Sequence, residues 1–338
     1  MPEKNAIAAP GEFNRALQER FRGARDETKQ RLRVYLPFLE AVKAVCGGGD
    51  AIDLGCGRGE WLELLTEGGF HAFGVDRDEA TVAAVRARGA DARTGDALDA
   101  LACLPDASQS LVSAFHLAEH MSFIDLQSLV RQAHRVLAPA GLLIVETPNP
   151  ENLAVATTNF YLDPTHLRPI PPQLLSFLAE FFGFARFKLL RLQEWPGVAG
   201  AAFPTLAQIV GGASADYAIV AQKAGHAAAM EATAAPFAAE VGVSRDALIA
   251  RYDEKMALHL RALDLYAQTL ANEISLKNEN LMAKEAEILR LSRTSIELQH
   301  ALADACARAA VADARVAALE TELAGHRRAA KPSSGESQ

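Results

Sequence analysis

The segment AIDLGCGRGEW, Ala51 to Trp61, places Gly55, Gly57 and Gly59 between an apolar run and a helical pattern. Glycine in such a turn allows positive φ and lets a ligand approach the backbone N–H groups of Gly55, Cys56 and Gly57 at the helix start. A dinucleotide-binding G-x-G-x-x-G turn would need glycine where Glu60 stands, and Glu60 would set a negative charge beside a pyrophosphate. Asp53 instead suits a cationic ligand, an ammonium or a sulfonium, unless its carboxylate serves the turn's own backbone. Asp76 closes the next apolar run, FGVD, about 20 residues beyond the loop, where a carboxylate accepts ribose hydroxyl protons; the alternative is a surface Asp at a strand end. Asp96, in TGDAL, is placed with the Ala97 backbone to meet an adenine edge, or else to cap a helix.

The elements that must position these residues follow from the apolar pattern. Short Val-, Ile- and Leu-rich runs at Ala51–Leu54, His71–Asp76, Ala92–Gly95, Leu111–His116, Leu142–Thr147, Phe187–Leu192 and Tyr217–Gln222 predict seven strands. Helical patterns near Glu60–Glu67, Glu79–Arg88, Phe123–Leu137 and Pro172–Phe182 alternate with them, the signature of an α/β, mostly parallel, Rossmann-like sheet. The last two strands follow without a long helix between them, so an antiparallel edge hairpin is expected. Phe13 to Val45 reads as one or two helices whose arginines and lysine form a solvated face. The resulting organisation is an N-terminal helical segment over 1–48, the sheet domain over 49–225, a linker or helical hairpin over 226–250, a long helix over 251–327 and a disordered tail over 328–338.

Composition narrows the partners. Half of the 338 residues are hydrophobic, enough for a sizeable core, and Lys plus Arg number 34 against 42 Asp plus Glu, a balance that argues against nucleic acid. Cys46, Cys56, Cys103 and Cys306 form no C-x-x-C pair, so neither a disulfide framework nor a zinc site is expected and a reducing, cytoplasmic setting fits. The N-terminus shows no apolar signal region. Trp195 to Ala215 lacks charges but is broken by Pro196, Pro204 and four glycines, which reads as buried loop rather than membrane span.

From Met256 a heptad runs without a change of phase, with Leu260, Ile274, Leu281, Ile288 and Leu302 among the a positions and Leu263, Leu270, Leu291, Leu298 and Leu319 among the d positions. A coiled coil about 100 Å long is expected, making a homo-oligomer, dimer or trimer, if the helices pair between chains. Lys277, Lys284 and Ser295 in the seam weaken it and can fix register. The alternative is an amphipathic helix folded back on its own domain.

The ordered motifs DLGCGRGE, GVD, GDAL and FHLAEH resemble those of class I S-adenosylmethionine-dependent methyltransferases over roughly Ala51 to Lys223. ETPNPENL (Glu146–Leu153), NFYLDPTHLRPIPP (Asn159–Pro172) and the N-terminal FRGARDETKQRLRVYLPFL are similar to the methyltransferases that terminate bacterial O-antigen chains. That resemblance implies S-adenosylmethionine as cofactor and a polysaccharide or lipid-linked glycan as acceptor, in lipopolysaccharide biosynthesis. It also implies a coiled coil acting as spacer beside a membrane-associated glycosyltransferase or polymerase at the inner membrane. No H-R-D, D-F-G or glycine-rich kinase loop follows Lys223, so a sugar hydroxyl is expected as acceptor rather than a phosphate made by the same chain. A small-metabolite or protein acceptor, and a scaffold that only binds ligand, are the competing readings.

Methyl transfer needs alignment of nucleophile, methyl and leaving sulfur rather than a metal, and a base for an un-ionised hydroxyl. His116, Glu119 and His120 after the fourth strand and His166 in the PTH loop are the catalytic candidates, with His120 or His166 as base and Glu119 orienting; each histidine could equally be a buried hydrogen-bonder. His116 also borders the cofactor side. Asn149, Asn152, Tyr161, Asp163 and Arg168, with Phe160, have the character of a carbohydrate site or of ordinary loop chemistry. By the resemblance, Arg22 and Arg25 would fold over the cofactor and pair with its carboxylate.

Overall fold

The computed structural model describes residues 16–17, 20, 23–46 and 49–329, the side chains as far as 326. Arg22, most of the segment before it and the tail from residue 330 therefore lie outside the described residues. The chain divides into two compact units, Met1–Met256 and Ala257–Gln338.

The first unit holds one sheet of seven strands: β1 Asp50–Leu54, β2 His71–Asp76, β3 Asp91–Thr94, β4 Gln109–Phe115, β5 Leu137–Pro148, β6 Arg186–Leu192 and β7 Asp216–Gln222. Their order across the sheet is β3-β2-β1-β4-β5-β7-β6. The pairs β3/β2, β2/β1, β1/β4 and β4/β5 are parallel, whereas β7 runs antiparallel to both β5 and β6. Strand order reverses between β1 and β4, and the crevice outside their carboxyl ends is where ligands of open α/β sheets bind. The expected edge hairpin is present. Its strands are separated by a loop and the short helix Leu206–Gly211, closed by a Thr205–Gln208 capping box. The charge-free stretch Trp195–Ala215 supplies that loop and helix, and no described helix is long and apolar enough to cross a membrane.

The central strands read as continuous apolar runs because both faces are covered. On one face Leu126, Leu129, Val130, Ala133 and Val136, one stripe of the helix α6 (Phe123–Val136), pack with Val112, Val145 and Tyr217. On the other, Phe38, Leu39 and Val42 of α2 (Leu36–Cys46) and Trp61, Leu64 and Leu65 of α3 (Glu60–Glu67) pack with Ala51, Leu111 and Ile144. Between these, α4 (Glu79–Ala87) is capped by Asp78 and the six-residue α5 (Ala97–Ala102) by Asp96. Ahead of them, α1 (Arg25–Leu32) lies on α3 through ion pairs of Arg25 and Lys29 with Glu63. Gly74 of β2 tolerates no side chain, since a Cβ there would stand 2.5 Å from Cβ of Cys56; this lets the glycine turn after β1 press against the neighbouring strand.

The stretch 226–250, read from the sequence as a linker or helical hairpin, carries two short helices and packs within the first unit. Two short helices, Ala227–Ala232 and Ala234–Ala238, flank Thr233, which is buried and exchanges hydrogen bonds with Gln222 and Arg186. Val243 and Leu248 close a small apolar cluster with Val198, Ile209 and Ala213. The last helix begins at Arg245 and continues to Ala329. Over its described residues the second unit is the remainder of that helix, and Leu260, Leu263, Ile274, Leu281, Ile288, Leu291, Leu298 and Leu302 all stand exposed on it.

Candidate active site

The turn after β1 is fixed by backbone chemistry. Gly55, Gly57 and Gly59 have φ of 68°, 48° and 80°, a region glycine enters at no steric cost. The Gly55 and Cys56 amides donate to the Val75 carbonyl at 2.8 and 3.1 Å. Asp53 is buried beneath, accepting from Ser113 Oγ at 2.7 Å, while Trp61 Nε1 donates to that same oxygen at 2.9 Å. Asp76, half-buried, accepts from the Gly57 amide at 3.0 Å and the Asp78 amide at 2.9 Å; each carboxylate oxygen keeps a further lone pair for a hydroxyl. Asp96 takes the capping role expected as its alternative reading. It caps α5 through the Leu98 amide at 2.8 Å and also borders a cavity, and its ion pair with Arg77 holds its carboxyl below the usual range.

Two cavities, of about 670 and 660 Å³, open on the carboxyl edge of the sheet. The first is lined by Gly57, Asp76, Asp96 and Ala97 on one side and by His120, Asp163 and Thr165 on another. The second is lined by Asp53, Cys56, Trp61, Phe115 and Asp216. Gly55 and His116 belong to both, so the cavities meet there. Volumes of this size suit small-molecule ligands.

His116 stands at that junction with φ of 51°. Its Nδ1 lies 3.2 Å from Glu119 Oε1, and its Nε2 lies 3.4 Å from Glu146 Oε1 and 4.0 Å from Asp216 Oδ2. Glu146 also accepts from the Tyr35 hydroxyl, and Glu119 accepts from Thr147 Oγ1 at 2.9 Å. Burial by itself would lower the imidazole's proton affinity, but Asp216, Glu119 and Glu146 overcome it and hold His116 well above its ordinary value. Burial pushes the Asp216 carboxyl up to about 7, against the pull of His116. The His116 side chain keeps 29% exposure because it opens onto the two cavities. As an imidazolium it is poorly suited to accept a proton, and Glu119, fully buried and ionised below the usual range, orients it.

The second histidine group stands beside the first cavity, which His120 lines. His120 and His166 meet edge to face with ring centroids 4.7 Å apart. His120 Nδ1 lies 3.0 Å from Thr165 Oγ1, which donates to Asp163 Oδ1 at 2.6 Å. His166 Nδ1 lies 2.6 Å from the Phe160 carbonyl. Burial holds His120 below its ordinary value, so it is neutral near pH 7.

Several expected ligand contacts are corrected. Asn149 and Asn152 are 0% and 1% exposed. Their amides donate to the carbonyls of Ser214, Gly211 and Ala213, and Asn152 caps the helix Leu153–Thr157. They brace the segment before β7 and present nothing to a ligand. Phe160 is buried, Tyr161 lines neither cavity, and Arg168 stacks on the Phe123 ring 4.5 Å from its centroid. Arg25 pairs with Glu63 at 2.7 Å and donates to the Arg58 carbonyl of the turn at 3.4 Å but lines neither cavity, and Arg22 lies outside the described residues. The described N-terminal arginine at a cavity is Arg31, beside Thr28. Its signal was the helical spacing that puts residues 28, 31 and 32 on one face together with buried Leu32. Tyr35, Glu146 and Asp216 were also missed. A carboxylate inside the run LLIVETP is the kind of buried charge that calls for a partner.

This arrangement can hold a sulfonium near Asp53, a ribose on Asp76 and an adenine beside Asp96 and Ala97. Replacing Asp76 with Ala is expected to weaken S-adenosylmethionine binding at least about tenfold, the loss of a charge-assisted hydrogen bond; calorimetry showing unchanged affinity would refute the assignment. The knot around His116 predicts a pH dependence. Stability from His116 is complete below its ordinary 6.5 and is lost as pH rises through its higher folded value, and ionising Asp216 from 3.8 up to about 7 costs further stability. The thermal midpoint in EDTA-containing buffer should therefore fall between about pH 5 and pH 9, and fall less in the His116→Gln/Asp216→Asn double variant. Parallel profiles for the two proteins would contradict this.

Comparison with known proteins agrees with the geometry. A methyltransferase-domain family profile matches residues 15–187, just over half of the chain. A protein of Mycolicibacterium smegmatis named as a probable S-adenosylmethionine-dependent methyltransferase is 37% identical over 141 residues, 41% of this chain and 53% of that protein. A similarly named protein of Mycobacterium tuberculosis H37Rv is 32% identical over 151 residues, 45% of this chain and 54% of that one. The chain thus spans about half the length of the curated relatives it matches. The crystal structure of a SAM-dependent methyltransferase from Archaeoglobus fulgidus superposes with a TM-score of 0.56 at 30% identity, covering 62% of this chain and all of that one. Sheet order, glycine turn and family match together place this chain in the methyltransferase-domain family, in the company of S-adenosylmethionine-dependent enzymes.

Proposed function

We propose that this protein transfers the methyl group of S-adenosylmethionine to a hydroxyl at the non-reducing end of a bacterial O-antigen or related surface polysaccharide, and so ends chain extension. The observation that carries the reading is the placement of Asp163 and Thr165 on the cofactor cavity with His166 behind them, since these belong to the LDPTHLRP segment similar to that of chain-terminating methyltransferases. Asp53 balances the sulfonium, Asp76 and Asp96 hold the adenosine, and the hydroxyl loses its proton at the His120–His166 wall. Walls of Trp61, Phe115 and Leu117 exclude water while the oxygen attacks in line with the departing sulfur.

The long helix fits the same reading as a self-association element that sets spacing beside a glycosyltransferase or polymerase at the cytoplasmic face of the membrane. Leu260, Leu263, Leu270, Ile274, Leu281 and Ile288 at its a and d positions are exposed, an apolar stripe that a second or third copy would cover. In a parallel, in-register pairing Arg308 would meet Asp313 of another copy and Arg315 would meet Glu320, the g-to-e complementarity that sets orientation.

Incubating the full chain with S-adenosylmethionine and lipid-linked or synthetic O-antigen oligosaccharides should add one methyl to the terminal sugar by mass spectrometry. Cofactor binding with no transfer to any glycan would overturn the substrate assignment. Sedimentation of the full chain should give a dimer or trimer that Leu291→Glu/Leu298→Glu converts to monomer. A monomeric wild-type protein would refute the coiled coil.

A further inference from the structure

The geometry points to a divalent-cation site formed by Glu119, His120 and His166 beside the cofactor cavity, whose wall His120 supplies; its role in the reaction rests on the reading of this site as one that methylates a hydroxyl. Each of the three residues offers a donor atom, and these atoms lie within 4.8 Å of one another. Three donors held at about 2.1 Å from one ion are mutually at most about 3.6 Å apart, so inward side-chain shifts of up to roughly 0.7 Å complete the set.

The hydrogen bonds around the two rings decide which nitrogens are available. The single hydroxyl proton of Thr165 goes to Asp163 Oδ1 at 2.6 Å, so towards His120 this oxygen accepts, and His120 Nδ1 carries the hydrogen at 3.0 Å. The Phe160 carbonyl can only accept, so His166 Nδ1 carries a hydrogen as well. His120 Nε2 is left with a bare lone pair, and His166 Nε2, whose facing carboxylate oxygen Asp163 Oδ2 stands 4.0 Å away and so beyond hydrogen-bond distance, keeps one as well; such outer bonds from Nδ1 to a carbonyl or a hydroxyl are the arrangement that orients metal-ligating histidines. Glu119 adds a carboxylate with no exposed surface whose oxygens retain lone pairs beyond the bonds from His116 and Thr147. Two imidazoles and one carboxylate select a first-row transition-metal ion and leave coordination positions open.

The second group of potential ligands, His116, Glu146 and Asp216, lacks this property. Both His116 nitrogens face carboxylate oxygens, at 3.2 and 3.4 Å, and carry protons rather than free lone pairs.

At the first group the open positions take the acceptor hydroxyl. Coordination lowers its proton affinity, and the proton leaves through Asp163 to water. The oxygen then forms its bond to the methyl carbon as the carbon–sulfur bond breaks, its electron pair staying on sulfur to give S-adenosylhomocysteine. No oxidant or reductant is needed.

The test uses tag-free full-length protein dialysed against EDTA, titrated with Co²⁺ by visible absorption and with Mn²⁺ by calorimetry. One ion per chain is expected, with nitrogen-ligated Co²⁺ bands, and His120→Ala or His166→Ala should weaken binding at least about tenfold while unfolding stays cooperative. Failure of both ions to bind stoichiometrically, or equal binding by the His120→Ala/His166→Ala double variant, would overturn the site. Because this readout needs no acceptor, a failure of the glycan assignment would leave the metal result standing.

Discussion

The structure depends on one imidazole compensating three carboxylates where the sheet reverses its order. Glu119, Glu146 and Asp216 are each taken largely out of water around His116, and removing the cation from such a group would leave buried charges with nothing to offset their lost hydration. The topology supplies each partner. Glu146 stands opposite Phe115 in the parallel β4/β5 register, whereas Asp216 arrives at the start of β7 because that strand runs antiparallel beside β5. Tyr35, from the helical segment before the sheet, donates to Glu146 and meets Trp61 and Phe115 edge to face. Four separated stretches of sequence therefore converge on one ring.

That knot divides the carboxyl edge into two cavities with different chemistry. On one side the charge pattern is set by Asp76 and Asp96, whose geometry comes from local backbone bonds in the turns after β2 and β3. On the other side Asp53 is steadied through Ser113 by the indole of Trp61, so that carboxylate is fixed before any ligand arrives. Prearranged charge of this kind costs no reorganisation when a cationic cofactor binds.

How much of this was legible in the sequence follows from the range of the interactions. The glycine turn was readable because positive φ is a local property of glycine, and the central strands because a run buried on both faces is apolar throughout. The edge pair β6 and β7 was readable from spacing. Asn149 and Asn152 were misread because an amide after a strand looks the same whether it faces a sugar or, as here, the carbonyls of residues 211–214 sixty positions later. Glu146 and Asp216 gave no sign of their pairing with His116, since that pairing exists only once β7 lies beside β5. The Ala-rich stretch after Lys223 reads by composition as a linker or a helical hairpin, and composition could not choose between them; Thr233, hydrogen-bonded with Gln222 and Arg186, anchors two short helices there. The heptad was legible over its whole length as a helix, which is what periodicity alone can specify.

The account's central claim is that the two cavities meeting at Gly55 and His116 form one methyl-transfer site. A crystal structure of the protein with S-adenosylhomocysteine tests it most directly. The ribose should lie on Asp76, the adenine beside Asp96 and Ala97, and the sulfur at the junction beside Gly55 and His116, facing the wall of His120. A nucleoside bound elsewhere, or a sulfur pointing away from that junction into solvent, would contradict it.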